Sequence, residues 1–298
     1  MKQAVSISLG SATRDKQAIM TLLGETVSLR REGMDGDVER AAARFADLDG
    51  QVDALGLGGI NFAIHVGERS YPLRSADKLI RDVHKTPVVD GSGLKNTLER
   101  QVVDVLIDEL GPTYKHGRVL LVAATDRPGM TNAFFDQGYD VVCGDLMFGL
   151  GVPLPVRSYK QLQWLARLIA PIMTRLPISM LYPTGEKQEG IVPRFGRWYA
   201  WADVIAGDCL FIKQHMPDDL SGKVVVTNTT TENDMALFRE RGVRVVVITT
   251  PIIDGRSFGT NMLEAALTAA YGKGRPLKRG ELSDILLQLQ LKPTVHPL

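Results

Sequence analysis

Residues 90–97 bring together polar side chains that could act on a small substrate. Asp90, Ser92, Lys95 and Asn96 lie where a strand predicted at 86–89 runs into a helix. A lysine at the start of a helix opposes the helix macrodipole unless Asp90 or a ligand compensates its charge. In one interpretation Lys95 exchanges a proton with a substrate hydroxyl and Asp90 orients it. Ser92 and Asn96 would then bind the substrate. In the other interpretation, Lys95 is a solvated lysine on the exposed side of the helix.

The turn after the most apolar predicted strand is a candidate nucleotide site. Residues 119–145 have the outline of the first βαβ unit of a dinucleotide fold, and Asp145 at its end could bind a ribose. The turn lacks the sequence G-x-G-x-x-G, and only Gly129 is available for close approach of a pyrophosphate. Arg127, with Asp126 beside it, could bind a phosphate directly in place of the missing glycines. The alternative is an ordinary helix start.

A third group of polar residues follows a later apolar strand. Thr227, Asn228 and Thr229 could contact a nicotinamide or a ribose. Thr231, with the acidic Asp234 three residues later, predicts a helix capping box. One cap does not require so many hydroxyls, so ligand contact by Asn228 or Thr229 is favoured over capping alone.

Glycine, histidine and cysteine patterns exclude several other chemistries. Gly56, Gly58 and Gly59 are not followed by Gly-Lys-Ser/Thr, so they predict a tight turn, and Asn61 just beyond could touch a substrate. The five histidines have no metal-ligand spacing, so no metal is predicted. The chain has no G-x-S-x-G elbow, and Cys143 is interpreted as a small core residue.

Composition favours small-molecule partners. The chain has 298 residues, of which 44% are hydrophobic, and a formal net charge of +1 with both signs interspersed. Such a surface attracts neither nucleic acid nor an anionic membrane through its overall field. Two cysteines and the lack of a secretory signal predict a cytoplasmic location. No apolar stretch reaches the roughly 20 residues of a membrane span. A homo-oligomer is left open.

Strand and helix patterns alternate along the chain, which predicts an α/β protein with mostly parallel, doubly wound Rossmann-like sheets. Residues 4–9 and 25–31 both alternate in polarity, which predicts an antiparallel strand pair at the N-terminus. A break in composition divides the chain into a substrate domain, 1–112, and a nucleotide-binding Rossmann-like domain, 113–298. Residues 182–195 predict either a plain surface loop or a mobile loop over the site.

Two motifs resemble the shikimate and quinate dehydrogenase group, and the whole chain looks like bacterial quinate 5-dehydrogenase-like proteins. Val226-Thr227-Asn228-Thr229 is similar to the group's Asn-Ala-Thr strand end near the nicotinamide, and residues 259–263 match its Gly-x-x-Met-Leu helix start. The resemblance makes Lys95 the counterpart of the group's catalytic lysine. The sequence departs from the group in lacking the glycine-rich turn and a clear Asn-Thr-Asp substrate motif, and in having Ala265-Ala266 where glutamine is expected.

The resemblance implies an NAD(P)-dependent oxidoreductase that transfers a hydride from a secondary alcohol of quinate or a similar cyclic hydroxy acid. The choice between NAD and NADP stays open, because Asp145 favours a free ribose hydroxyl whereas Arg127 could accept a 2′-phosphate. The missing glycine motif motivates an alternative, a non-redox small-molecule binding or regulatory protein that uses the same cleft. A nucleotide-dependent transferase is a further option with only fold-level analogy behind it.

Overall fold

The computed structural model describes residues 1–67, 69–176, 190–250, 252–253 and 256–298. The predicted fold class is confirmed, because the described chain forms two mostly parallel sheets with helices packed on them. The loop predicted at 182–195 lies largely outside the described residues.

The first sheet is built from the N-terminal part of the chain. Its strands are β1 (Lys2–Ser8), β2 (Gln17–Leu22), β3 (Glu25–Gly33), β4 (Ala54–Gly58) and β7 (Val88–Val89). A separate hairpin consists of β5 (Ala63–Val66) and β6 (Arg69–Pro72). The strand order in the sheet is β2-β3-β1-β4-β7, and every pair except β2 with β3 is parallel.

The predicted antiparallel pair at the N-terminus is present, but its first member differs from the prediction. Residues 4–9 supply most of β1, which runs parallel to β3, with Ala4 opposite Leu29. The antiparallel partner of β3 is β2. Leu23 and Gly24 join them, with φ angles of 54° and 81°. Positive φ at both central residues matches the backbone twist that a two-residue hairpin needs.

The second sheet carries the most apolar strands. Its members are β8 (Arg118–Leu121), β9 (Asp140–Cys143), β10 (Val204–Gly207), β11 (Val224–Thr227), β12 (Val245–Ile248) and β15 (Thr294–Pro297). The order is β15-β12-β11-β10-β8-β9, and only β15 is antiparallel. Because β11 and β12 are buried along their whole length, their sequences are apolar except for Thr227 at the end of β11. A short hairpin, β13 (Ile252–Ile253) with β14 (Arg256–Ser257), follows β12.

Helices connect and cover the strands. They are α1 (Val38–Leu48), α2 (Arg74–Ile80), α3 (Ser92–Thr97), α4 (Val102–Leu110), α5 (Pro128–Asp136), α6 (Tyr159–Met173), α7 (Gly196–Trp201), α8 (Cys209–His215), α9 (Glu232–Glu240), α10 (Thr260–Tyr271) and α11 (Arg279–Gln288). Thr231 and Asp234 form the predicted capping box at the start of α9.

The chain returns to the first sheet after completing most of the second. Met262 and Leu263 of α10 are buried in one core with Ala4 and Leu29 of the first sheet. Val295 of β15 then packs in the core of the second sheet. The described chain therefore passes from the second unit to the first and back again after β12. The division predicted between residues 112 and 113 stays a prediction.

The strand orders locate a crevice in each unit. In the first sheet, β3 and β4 lie on opposite sides of β1, so the direction of winding reverses between β1 and β4. In the second sheet, β9 and β10 lie on opposite sides of β8, so it reverses between β8 and β10. Ligands of open α/β sheets bind beyond the carboxyl ends of strands at such points.

Candidate functional site

A cavity of about 350 Å³ lies where the carboxyl ends of the two sheets face each other. Its polar part comes from the loops that follow β4, β7, β8, β9, β10 and β11. The charged and amide side chains that these loops contribute are Asn61, Asp90, Lys95, Asp126, Arg127, Asp145, Asp208 and Asn228. Both predicted crevices therefore open into one cavity, and its size is within the range of small-molecule sites.

Lys95 is held at the boundary of the two units. Its Nζ lies 2.9 Å from Asn61 Oδ1 and 3.0 Å from Asp126 Oδ1, and its side chain is 7% exposed. Asn61 Nδ2 also donates to Asp126 Oδ1 at 2.7 Å. The interpretation of Lys95 as a solvated lysine is wrong. Its charge is compensated by Asp126, whereas Asp90 was the predicted partner.

Asp90 holds the loop instead of orienting Lys95. Its Oδ2 accepts the Phe62 backbone N–H at 2.6 Å, and its Oδ1 accepts that of Ser92 at 2.9 Å. The helix N-cap is Gly91, with a φ of 87° that suits glycine, so Ser92 is the first helical residue. Asn96 Nδ2 donates to the Ser92 carbonyl at 2.8 Å. Ser92 and Asn96 thus make local helix contacts outside the cavity lining.

Arg127 is at the centre of a buried ionic network. Its Nη1 lies 2.6 Å from Glu99 Oε1, its Nη2 2.8 Å from Asp208 Oδ2, and its Nε 3.0 Å from Asp126 Oδ2. The Arg127 side chain is 3% exposed and that of Glu99 is fully buried. Because each nitrogen already faces a carboxylate, the structure gives Arg127 an internal role where the sequence predicted a phosphate contact.

Burial and charge set the ionisation of the two carboxyls beside Arg127. Burial opposes ionisation of Asp126, but the charges of Lys95 and Arg127 outweigh it and hold the pKa of Asp126 well below its usual range. For Glu99, burial is the stronger effect and raises its pKa despite Arg127. Asp126 is therefore a carboxylate at neutral pH.

Asp145 and Gly129 make contacts within the protein at the turn where the sequence predicted nucleotide contacts. Asp145 accepts the backbone N–H groups of Ala124 and Thr125 at 3.0 and 2.9 Å and the Thr125 hydroxyl at 2.6 Å. Burial raises the pKa of Asp145. A Cβ at Gly129 would lie 2.0 Å from the Lys95 carbonyl oxygen, so glycine permits close packing of α5 against α3.

The polar residues after β11 differ in whether they line the cavity. Asn228 lines the cavity and donates to Asp208 Oδ2 at 3.1 Å. Its Oδ1 accepts the Cys209 backbone N–H at 3.3 Å and the Thr227 hydroxyl at 3.2 Å. Thr227 is fully buried, and neither it nor Thr229 is in the lining. The roles predicted for all these residues toward a bound molecule stay predictions.

Sequence reasoning missed Glu99, Asp208 and the apolar wall of the cavity. Asp208 follows β10 directly, so the rule that identified the other loops would have found it. It also caps α8 by accepting the Leu210 N–H at 3.0 Å. Glu99 could not be found, because its complete burial depends on how the two units pack.

The described lining has more acidic than basic side chains. Four acidic side chains, Asp90, Asp126, Asp145 and Asp208, face two basic ones, Lys95 and Arg127. Within the described ranges, no three His, Cys, Asp or Glu side chains are grouped as metal ligands. Such a lining favours neutral or cationic molecules over anions.

Fold and site together define a two-unit α/β protein with a small-molecule cavity between facing sheet ends. Residues 93–298 match the family described as "Domain of unknown function (DUF8754)", and residues 3–90 match "Domain of unknown function (DUF8753)". The chain belongs to the DUF8754 family. No curated protein matches it.

Several solved structures are similar over most of the chain. An ABC transporter solute-binding protein from Burkholderia multivorans is 11% identical, with a TM-score of 0.40, over 100% of this chain and 98% of its own. A periplasmic ribose ABC transporter protein from Conexibacter woesei is 11% identical, with a TM-score of 0.37, over 93% and 88%. A solute-binding protein from Bacillus halodurans with bound myo-inositol is 12% identical, with a TM-score of 0.36, over 95% and 97%. Similarities of this size do not establish what this chain binds.

These comparisons correct the function predicted from the sequence. The families that match the chain are DUF8754 and DUF8753, and neither is the shikimate and quinate dehydrogenase group. The resemblance to quinate 5-dehydrogenase-like proteins is therefore wrong, and so is the predicted NAD(P)-dependent oxidoreductase activity. The Asn-Thr and Met-Leu matches that carried it are short and occur at ordinary strand and helix ends. Binding of NAD or NADP stays a prediction.

Among the described helices, none has the length and apolar character needed to cross a membrane. The cytoplasmic location and the homo-oligomer stay predictions.

Proposed function

We propose that this chain is a non-redox small-molecule binding protein whose cavity holds a neutral polyhydroxylated ligand. The observation that carries the proposal is the placement of Asp126 and Asp208. They follow β8 and β10, the two strands between which the winding of the second sheet reverses. Both line the cavity, with side chains 25% and 23% exposed. Carboxylates at such a position can accept hydrogen bonds from ligand hydroxyls.

Each of these carboxylates has acceptor capacity left. Asp126 Oδ1 accepts from Asn61 and Lys95, while its Oδ2 faces Arg127 and no other donor among the described residues. Asp208 Oδ2 accepts from Arg127 and Asn228, while its Oδ1 accepts from the Leu210 backbone. Since a carboxylate oxygen can accept two hydrogen bonds, each residue can take one more. A hydrogen bond to a charged group contributes about 1.5–3 kcal/mol.

The charge of the lining selects against acids. An anionic ligand about 5 Å from one unbalanced carboxylate would lose about 3 kcal/mol at an effective dielectric constant of about 20. That difference corresponds to more than about 100-fold in Kd. A neutral sugar or cyclic polyol carries hydroxyl donors without this penalty. The lining thus favours neutral polyols over hydroxy acids such as quinate.

Thermal unfolding with matched ligands tests the proposal. The midpoint is measured with galactose and galacturonate, with ribose and myo-inositol, and with NAD and NADP. A ligand at about 100 times its Kd adds about 2.7 kcal/mol of stability. We expect a neutral polyol to raise the midpoint and galacturonate to leave it unchanged. If galacturonate shifts it as much as galactose, or if only NAD or NADP shifts it, the proposal is wrong.

A further inference from the structure

Helix α6 gives the cavity an apolar wall. Its lining side chains recur at the spacing of one helical face and are Leu162, Leu165, Ala166, Ile169, Ala170 and Met173. Five of them carry no polar atom, and the sulfur of Met173 is only a weak hydrogen-bond acceptor. This wall belongs to the same cavity that contains the carboxylates of Asp126 and Asp208.

The wall is fixed to both units. Helix α6 follows β9 of the second sheet, and its first residue, Tyr159, accepts the Gly67 N–H on its hydroxyl oxygen at 3.0 Å. Just beyond its end, the Thr174 carbonyl accepts the Arg74 N–H at 3.3 Å. Arg74 begins α2, whose Leu79 is buried with the first sheet, whereas Gly67 follows β5, whose Val66 is buried in the core of the second sheet. The apolar face is therefore held along the cavity from both ends.

A plain sugar or polyol carries a hydroxyl on nearly every carbon, so it has no extended apolar group to cover a wall of six side chains. Each Å² of apolar surface removed from water contributes about 25 cal/mol, so a ligand that leaves the wall wet forgoes this stabilisation. We infer that the ligand is amphipathic: a neutral hydroxylated head bound at the sheet ends carries a short apolar group that packs on α6. This inference rests on the proposed function, and it narrows the ligand class to glycosides and similar molecules.

A neutral apolar dye tests the wall without knowledge of the head group. Binding of N-phenyl-1-naphthylamine is followed by its fluorescence in wild type, Ile169→Asn and Leu168→Asn. Ile169 lines the cavity, whereas Leu168 is 53% exposed and outside the lining. Both variants place asparagine at neighbouring positions of one helix, and Leu168→Asn loses slightly more helix propensity than Ile169→Asn, so the control is the stricter of the two. Circular dichroism checks that both are folded.

We expect saturable dye binding by wild type and Leu168→Asn, and at least about tenfold weaker binding by Ile169→Asn. Absence of dye binding to wild type, or equal binding by the two variants, would overturn the inference. If Ile169→Asn does not fold, Ile169→Ala replaces it, with Leu168→Ala as its control.

Paired glycosides separate this inference from the proposed function. Affinity is measured for methyl and hexyl β-galactoside and for the same pair of glucosides. A buried methylene contributes about 0.8 kcal/mol, which is about fourfold in Kd, so three buried methylenes give about 60-fold. If a methyl glycoside binds and its hexyl partner binds no better, the inference fails and the proposed function stands. If no neutral polyol or glycoside binds, the proposed function itself fails.

Discussion

Replacing Arg127 by methionine tests the buried ionic network that Arg127 forms with Glu99, Asp126 and Asp208. Methionine keeps much of the apolar stem but removes the charge that faces Glu99, Asp126 and Asp208. Asp126 retains Lys95 and Asp208 retains hydrogen bonds, whereas Glu99 is left fully buried without its ion-pair partner.

Removing one partner of a buried ion pair costs about 3–5 kcal/mol, because the remaining charge is uncompensated. With a urea slope of about 3 kcal/mol/M, a loss of about 4 kcal/mol lowers the unfolding midpoint by about 1.3 M. The assay is urea unfolding at pH 8, followed by tryptophan fluorescence and circular dichroism. Arg100→Met is the matched control, since the Arg100–Asp136 pair is 41% and 60% exposed. Exposed pairs contribute at most about 1 kcal/mol.

The loss should also depend on pH. Burial raises the pKa of Glu99 even beside Arg127, and losing the cation raises it further. A carboxyl with a raised pKa in the folded state stabilises the protein at low pH and loses this contribution as pH rises. The Arg127→Met deficit should therefore be smaller at pH 5 than at pH 8. Adding Glu99→Leu should restore most of the stability. A loss no larger than that of Arg100→Met, or one independent of pH, would refute this reasoning.

Two other perturbations have defined outcomes. Burial raises the pKa of Glu264 to about 7 from an ordinary 4.5, so wild type should lose about 3 kcal/mol of stability as pH rises from about 4.5 to 7. Glu264→Gln can still accept the Leu94 N–H but does not titrate. The urea unfolding midpoint of this variant should therefore depend less on pH than that of wild type. An equal pH dependence in the two proteins would contradict the raised pKa of Glu264. Gly129→Ala should lower the thermal midpoint, because its Cβ would meet the Lys95 carbonyl oxygen at 2.0 Å. Gly280→Ala, in the first turn of α11 with nothing within 4 Å of its Cβ, should leave the midpoint unchanged or slightly higher, so equal midpoints in the two variants would contradict the packing argument.

The parallel sheets could be predicted because their strands are continuous apolar runs separated by helices. Val224 to Val226 and Val245 to Val247 are buried on both faces of the sheet, so every position is apolar and the sequence predicts a buried strand. Strand β2 was missed, since Gln17–Leu22 buries only Met20 and Leu22 and its alternation is weak. Its turn at Leu23 also lacks the usual asparagine or glycine at the first central position.

The sequence predicted individual residues of the site but not their contacts with one another. Polar residues after strands identified Asn61, Lys95, Asp126 and Asn228, and all four line the cavity. Their partners could not be predicted, because the Lys95–Asp126 and Arg127–Asp208 contacts depend on how the two units meet. The wrong dehydrogenase hypothesis came from two short motif matches, at residues 226–229 and 259–263, which carry no information about how the units pack.

Titration calorimetry with the neutral polyol or glycoside that gives the largest thermal shift tests the central claim most directly. Wild type is compared with Asp208→Asn, which keeps an effective helix cap, and with Asp218→Asn, whose side chain is 96% exposed. We expect one ligand per chain, unchanged affinity in Asp218→Asn, and about five- to tenfold weaker binding in Asp208→Asn, because a neutral amide oxygen accepts a hydrogen bond about half as strongly as a carboxylate does. Equal affinity in all three proteins, or no binding heat with wild type, would contradict a polyol site between the two sheets.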